Sequence, residues 1–600
     1  MMQPDIVVPI CLRHTNEAVC TPPWYVHNTE YHPVAASYQA LVNGQETFTA
    51  VHQAIAQAKK SIDIICWGFQ PSMYFIRDGM APSIGELLMA KAREGVEVRL
   101  LGWEMPFNTA GFGGEANLPG KGSIRLMDRV MQRTTEEQYA FDRQWFATCA
   151  VADDKAAQRT ASGLPVFVSR GFNLDERGEI AHWVKYASLD SEISTKMRQT
   201  LRWTATHHQK SVLVDYELPD CAVGFIMGHN MLDEYWDTNK HSALNRSQDS
   251  KPAPNRGPRG DTPRQDISCR LSGPILEHLH HNFAAAWRKE TGEDLLASRQ
   301  SMKVGPQLRT HGMPQMAQIL RTQPQAGKRD IERLYMQAVN NATQFIYIEN
   351  QYFRWPPLAE FIKSVAATQT QAGRDPGLHG ALHLFVVTNA TDDGIGAGTV
   401  NTQRMLESLG RANTIPGVTK LRRIQKMEKE FPPMPRADPN DRLGQQEQAQ
   451  WKADLEREKQ EILDSTVVPE EIPGLKVHIC SLVAPDSPGK PWMPVYIHSK
   501  LMIINDVFTT HGSANINTRS MQVDSELNIA HEWMSVTQAL RRRLWDLHTK
   551  KKGSQDDPKK AFKAWEAIIN NNKRLQKNKE KPDASLVEFH YDKAILKDLD

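Results

Sequence analysis

The chain of 600 residues carries 72 basic and 70 acidic side chains, a net charge of +2, and is 40% hydrophobic. Near neutrality excludes a global attraction to nucleic acid, and the length allows more than one buried core. The seven cysteines (Cys11, Cys20, Cys66, Cys149, Cys221, Cys269, Cys480) are odd in number and include no Cys-x-x-Cys, so neither a zinc site nor a disulfide framework is indicated.

Taken in order, residues 1–44 are punctuated by proline and are expected to form an irregular leader. They show no basic region followed by an apolar one, and no run of about 18 apolar residues occurs anywhere. Synthesis in the cytoplasm without a signal peptide and without a membrane span is the expectation. From Glu46 the pattern turns helical, with Phe48, Val51, Ile55 and Ala58 on one stripe, and Ser61 to Trp67 follows as a strand. Ile84, Leu87, Leu88 and Ala92 mark a second helix, Gly95 stops it, and Val96 to Trp103 is the next strand. Alternation of this kind predicts an α/β layer.

An internal repeat then sets the organisation. Val51 to Phe69 aligns without gaps on Tyr335 to Phe353, with Gln53/Gln337, Ala54/Ala338, Ala58/Ala342, Ile62/Ile346, Ile64/Ile348 and Phe69/Phe353 identical at an offset of 284. Two tandem similar α/β domains are predicted, over 45–305 and 306–545, preceded by the leader and followed by a lysine-rich tail over 546–600. Three insertions interrupt them. Segments 104–122 and 240–265 are expected to be loops, and the charged 419–463 to be two helices joined at Pro432-Pro433-Met434-Pro435. In the tail, Phe562, Trp565 and Ile569 at helical spacing predict a docked helix, with a basic interfacial helix as the weaker reading.

The chemistry is carried by a second duplication. His208-Gln-Lys210 precedes a buried-strand run ending at Asp215, and His498-Ser-Lys500 precedes one ending at Asn505, 290 residues later. A His and a Lys two apart on an extended chain share a face. Each run is followed by a turn of small residues and an amide, Gly228-His229-Asn230 and Gly512-Ser513-Ala514-Asn515, where the oxygens of an anion find donors. Two such units face to face would supply a phosphodiester with a nucleophile, a proton donor and neutralising charge. An imidazole near its ordinary pKa of about 6.5 suits both jobs.

The duplicated His-x-Lys with its closing Asn resembles the phospholipase D superfamily. Tyr347-Ile-Glu-Asn-Gln-Tyr-Phe353 and Asp233-Glu-Tyr-Trp-Asp237-Thr238 resemble segments of its lipid-cleaving members. The resemblance implies two α/β halves related by a pseudo-two-fold axis and hydrolysis of a glycerophospholipid to phosphatidate and a free alcohol. His208 would be the nucleophile forming a phosphohistidine and His498 the acid/base, with Lys210, Lys500 and Asp215 completing the motifs. It further implies a carboxylate partner for each imidazole, at Asp266 and Glu526, and a phosphate bound by Asn230, Asn515, Ser513 and Gly228.

No cofactor and no metal are expected, the partner is a phospholipid membrane surface met peripherally, no nucleic acid is bound, and the chain is a monomer. Two departures stand out: Asn505 replaces the aspartate of the second motif, with Asp506 shifted by one, and Met227 replaces the first glycine of the first turn. The alternatives are a nuclease or phosphatidyltransferase of the same superfamily and a degenerate lipid-binding scaffold. A chain of this kind is similar to bacterial lipase effectors delivered by type VI secretion, which implies a spike or tube carrier and a cognate immunity protein.

Overall fold

The computed structural model describes residues 24–600 apart from 106, 107, 109, 112, 113, 152–162, 247–250, 301–313, 379, 439 and 490. Cys11, Cys20, the start of the leader and parts of the insertions at 104–122 and 240–265 lie outside the described residues. The five cysteines among the described residues are all free.

Local sequence explains the opening units. The helix Asn43–Ala56 buries Phe48, Val51 and Ile55, and the strand Ser61–Cys66 is buried at all six positions, as a parallel strand covered on both faces must be. The helix Ile84–Arg93 starts at a capping box between Ser83 and Glu86, and Gly95, at φ +90°, reverses the chain into the next strand.

The strands of the first half are β1 (Val34–Val42), β2 (Ser61–Cys66), β3 (Glu97–Trp103), β4 (Val166–Arg170), β5 (Ser211–Val214), β6 (Val223–Met227), β7 (Arg264–Gln265) and β8 (Ile267–Ser272). Those of the second are β9 (Gln315–Gln323), β10 (Lys328–Arg329), β11 (Phe345–Asn350), β12 (Leu382–Val387), β13 (Leu475–Val483), β14 (Pro494–Ile497), β15 (Lys500–Ile504), β16 (Phe508–Gly512), β17 (Glu526–His531) and β18 (Leu586–Glu588). The first half pairs in the order β4, β3, β2, β5, β6, β8, β1, with β2 to β4 parallel and the rest antiparallel. The second repeats that order and those directions as β13, β12, β11, β15, β16, β17, β9. The fold is mixed α/β, a large central sheet flanked by helices, and each half has its own apolar core.

The halves join where β1 meets β9 antiparallel, Val34 opposite Ala317, Ala35 opposite Met316 and Ala36 opposite Gln315. Leu41 opposite Ser268 matches Leu320 opposite Asn528, and with β1 so laid on β9 the pseudo-two-fold axis passes between Ala36 and Gln315.

One expectation is corrected here. The segment 1–44 is not an irregular leader throughout, because it contains β1, which bridges the halves. The tail from 546 carries a docked helix, as expected. The helix Pro558–Lys577 packs Trp565 against Trp545 at 5.1 Å, β18 pairs with β13, and Asp600 forms a buried ion pair with Arg354 at 2.7 Å. The charged insertion is a helical pair, Pro416–Glu430 and Arg442–Asp464, closed by Phe431 against Trp451. No helix among the described residues is long and apolar enough to cross a membrane.

Candidate active site

The site forms where each half lends a strand to the other. In the second half, β14 pairs parallel with β7, and the backbone amides of His498 and Ser499 donate to the Gln265 carbonyl at 2.8 and 3.2 Å. Symmetrically, His207 bridges to Ser525, and the His208 amide donates to the Ser525 carbonyl at 2.8 Å. Each histidine is thereby set beside a carboxylate of the opposite half.

His208 Nδ1 lies 3.0 and 3.1 Å from the Glu526 oxygens and 3.1 Å from the Ser513 carbonyl, all acceptors, so Nδ1 carries the hydrogen and Nε2 keeps its lone pair. His498 Nδ1 meets Asp266 at 2.7 Å in the same way. The partners are crossed, Glu526 with His208 and Asp266 with His498, and sequence order gives no sign of this.

Both lysines lie near enough to both imidazoles to act on them electrostatically. Lys210 Nζ donates to its own motif's His208 carbonyl at 2.7 Å, and Lys500 Nζ to the His498 carbonyl and to Gln351 Oε1 at 3.0 Å. Burial pushes the Lys210 ammonium down to about 8, and the Lys500 ammonium falls well below its ordinary value for the same reason. Burial first, and then these two cations, push both imidazoles well below the ordinary histidine value. The expectation of an imidazole near 6.5 is therefore not met, and burial favours the neutral form of both rings. Burial raises the Asp266 carboxyl, but His229, His498 and Lys500 outweigh it and hold the group below the usual carboxylate range. Burial lifts Glu526 up to about 7, against Lys210, Ser513 and Ser520.

Asn230 and Asn515 are buried at the ends of the two closing turns, and each has an amide oxygen without a hydrogen-bond partner among the described residues. Ser513 and Gly228 do not serve as phosphate contacts. The Ser513 hydroxyl is committed to Glu526 at 2.5 Å, and a Cβ at Gly228 would stand 2.3 Å from Asp266 Oδ1. The glycine makes room for the shorter carboxylate where the serine binds the longer one.

Asp215 is a further correction. It lies at the far end of β5 in the left-handed region, φ +53°, and its carboxylate accepts from the amides of Lys59, Lys60 and Ser61 at 2.6 to 3.1 Å. Asn505, at φ +55°, does the same with its amide oxygen for Thr343, Gln344 and Phe345 at 2.9 to 3.2 Å. Three amide donors and a left-handed backbone need an Asp or Asn side chain, and neither requires charge. Asn505→Asp keeps the three amide contacts, loses the Nδ2 donation to the Asn341 carbonyl at 3.3 Å, and is expected to leave turnover within about threefold because the change lies at the strand end away from the histidines. Steady-state kinetics beside a urea midpoint would check it.

Sequence reasoning missed the walls. The Tyr235 ring stands edge-on to His498 at 4.8 Å and its hydroxyl donates to Glu115 at 2.9 Å, while Arg264 lies between the Tyr235 and Tyr496 rings at 4.1 and 4.7 Å. Trp67 faces His208 at 6.1 Å. A signal existed for two of them: the offset of 284 lays Trp67 on Gln351, the partner of Lys500.

Behind the second motif, Glu349 accepts from Ser499 at 2.5 Å, Tyr347 at 2.6 Å and Gln265 at 2.9 Å and pairs with His548 at 2.7 Å, with both ionic side chains fully buried. Removing one partner of such a pair leaves a buried polar group unpaired, so Glu349→Ala should cost roughly 3–5 kcal/mol, read as an earlier urea midpoint.

These observations define a duplicated α/β protein with one composite histidine, lysine and carboxylate site at its two-fold axis. Residues 54–161 match the model of the phospholipase D family. Over 562 residues the chain is 26% identical to phospholipase D alpha 1 of Oryza sativa subsp. japonica, covering 80% of this chain and 59% of that protein. It is 27% identical over 570 residues to phospholipase D alpha 2 of Arabidopsis thaliana, with the same shares covered. The chain thus spans 59% of the length of these relatives. Among solved structures, a phosphatidylserine synthase from Haemophilus influenzae Rd KW20 aligns with a TM-score of 0.41 at 11% identity, covering 92% of this chain and 97% of that one. The chain is therefore similar to phospholipases D over 80% of its length, and part of its first half matches that family's model.

Proposed function

We propose that the protein is a phospholipase D that hydrolyses the head-group phosphodiester of glycerophospholipids through a phosphohistidine on His208. The observation that carries this reading is the pair of crossed imidazole and carboxylate contacts with two lysines near both imidazoles. His208 Nε2 attacks phosphorus, the phosphorus to head-group oxygen bond breaks, and His498 Nε2 gives its proton to the departing alcohol. Lys210, Lys500, Asn230 and Asn515 hold the non-bridging oxygens. The anionic phosphodiester supplies negative charge, and against anionic Asp266 it lets His498 take up the proton that it delivers. His498 then draws a proton from water, the water oxygen attacks phosphorus, the nitrogen to phosphorus bond breaks, and phosphatidate leaves.

The test is purified protein on detergent-dispersed phospholipid, scored for free head group, phosphatidate and nicking of DNA. Head group and phosphatidate released together support the proposal; nicking alone supports a nuclease, and no product supports a scaffold. The lysines supply the charge a phosphate needs, and among the described residues no three of His, Cys, Asp and Glu cluster as ligands. Turnover on dispersed substrate is expected to survive a chelator, and its loss, restored by a divalent ion, would count against the scheme.

A role as an antibacterial effector delivered by type VI secretion, with a carrier and an immunity protein, is the finer proposal. It rests on the resemblance to such lipases. Growth arrest on export of the chain to a bacterial periplasm, absent for His208→Ala, would support it.

A further inference from the structure

The two halves differ just before the first motif. β13 and β15 are separated by residues 484–499, whereas β4 and β5 are separated by 171–210, which hold two helices, Leu174–Tyr186 and Thr195–Thr204. This helical hairpin has a small core of its own, Ile180, Val184, Ile193, Met197 and Leu201 packed with Phe172, Ala205 and Val523. Four large apolar side chains interrupt its polar outer surface: Leu174 is 67% exposed, Tyr186 67%, Leu189 45% and Trp203 51%. Among the described residues, Tyr186 and Trp203 are the only exposed large aromatic side chains, and both belong to this hairpin.

We propose that this hairpin is the docking surface for a phospholipid bilayer carrying anionic lipid, a proposal that rests on the phospholipase reading. Each exposed ring has a cation beside it, Lys185 Nζ 4.7 Å from the Tyr186 ring and the Arg202 guanidinium 5.1 Å from the Trp203 ring. Amphipathic rings seat at head-group depth, and cations next to them reach lipid phosphates. Asp190 and Glu192 pair with Arg404 at 2.8 and 3.3 Å and Glu176 pairs with Lys289, while Asp175 and Glu179 stay exposed, as do Lys185 and Lys196.

The position suits the task. At its foot Phe172 stacks on His207 at 3.9 Å, Arg519 donates to the Thr204 hydroxyl at 2.7 Å, and the Thr206 amide donates to Asp524 at 2.8 Å. His208 follows directly, with 14% of its side chain exposed. The hairpin that would hold a membrane is thus anchored directly beside the first motif.

The experiment compares the wild type, Tyr186→Ser/Trp203→Ser and Tyr186→Phe/Trp203→Phe as full chains. Co-sedimentation with vesicles of phosphatidylcholine and phosphatidylglycerol is read beside turnover on those vesicles and on a short-chain phospholipid below its micellar concentration. The serine variant should lose about 10- to 100-fold in vesicle binding and vesicle turnover, keep turnover on monomeric substrate, and be rescued by phenylalanine. Unchanged vesicle binding would overturn the docking surface, and so would equal losses on monomeric and vesicular substrate. A wild type that binds vesicles but cleaves neither substrate would defeat the phospholipase reading and leave the docking result standing.

Discussion

Replacing His208 by Ala is expected to lower turnover by at least about 10⁴-fold, because nucleophile and acid act as a unit and the loss of either leaves only binding and charge stabilisation. The expectation rests on Nε2: with Nδ1 held by Glu526 and the Ser513 carbonyl, it is the one ring nitrogen free to attack. Phosphorus label from a substrate labelled in its phosphate should be trapped on the wild type after a rapid acid-free quench, and should be absent from His208→Ala. His498→Ala should be nearly as slow but should accumulate label on the protein from a substrate whose head group leaves without protonation, since it removes the acid and the water-activating base and keeps the nucleophile. Label persisting in His208→Ala would reverse the two roles.

The elements that carried this reading were legible because each had a local signature. The repeat from Val51 and Tyr335 showed in periodic apolar residues, and the structure turns it into the matched strand orders of the two halves. The His-x-Lys pairs showed because an extended chain fixes which side chains share a face. The crossed carboxylates did not show, since Asp266 and Glu526 reach the opposite half only through the pairing of β7 with β14 and of His207 with Ser525, contacts that no spacing encodes. Asp215 misled for the opposite reason. It belongs to a recurrent pattern, yet its work is to hold the backbone of Lys59 to Ser61 at the end of the strand away from the histidines. Trp67 sits at the end of a buried apolar strand, where an aromatic that lines a site and one that fills a core read alike, and Tyr235 showed only as part of a resembling segment.

Glu526→Gln tests the crossed architecture itself. The amide can turn its nitrogen toward His208 and donate where the carboxylate accepted; a ring that must then accept at Nδ1 carries its hydrogen at Nε2 and cannot attack. A fall of about 10³- to 10⁴-fold in kcat is expected, the scale seen when a carboxylate that fixes a catalytic tautomer becomes an amide. The pH profile separates this from a structural defect. With its carboxyl raised to about 7, Glu526 takes up a proton as the pH falls through that value and ceases to anchor His208, so kcat/KM of the wild type should fall on the acid side near 7. Lys210, pushed down to about 8, loses its charge as the pH rises through that value, which sets the alkaline limb. In Glu526→Gln the acid limb near 7 should vanish from the residual activity while the alkaline limb stays. An acid limb that persists unchanged in that variant would belong to another group, and Glu526 would then hold strands together without governing the nucleophile.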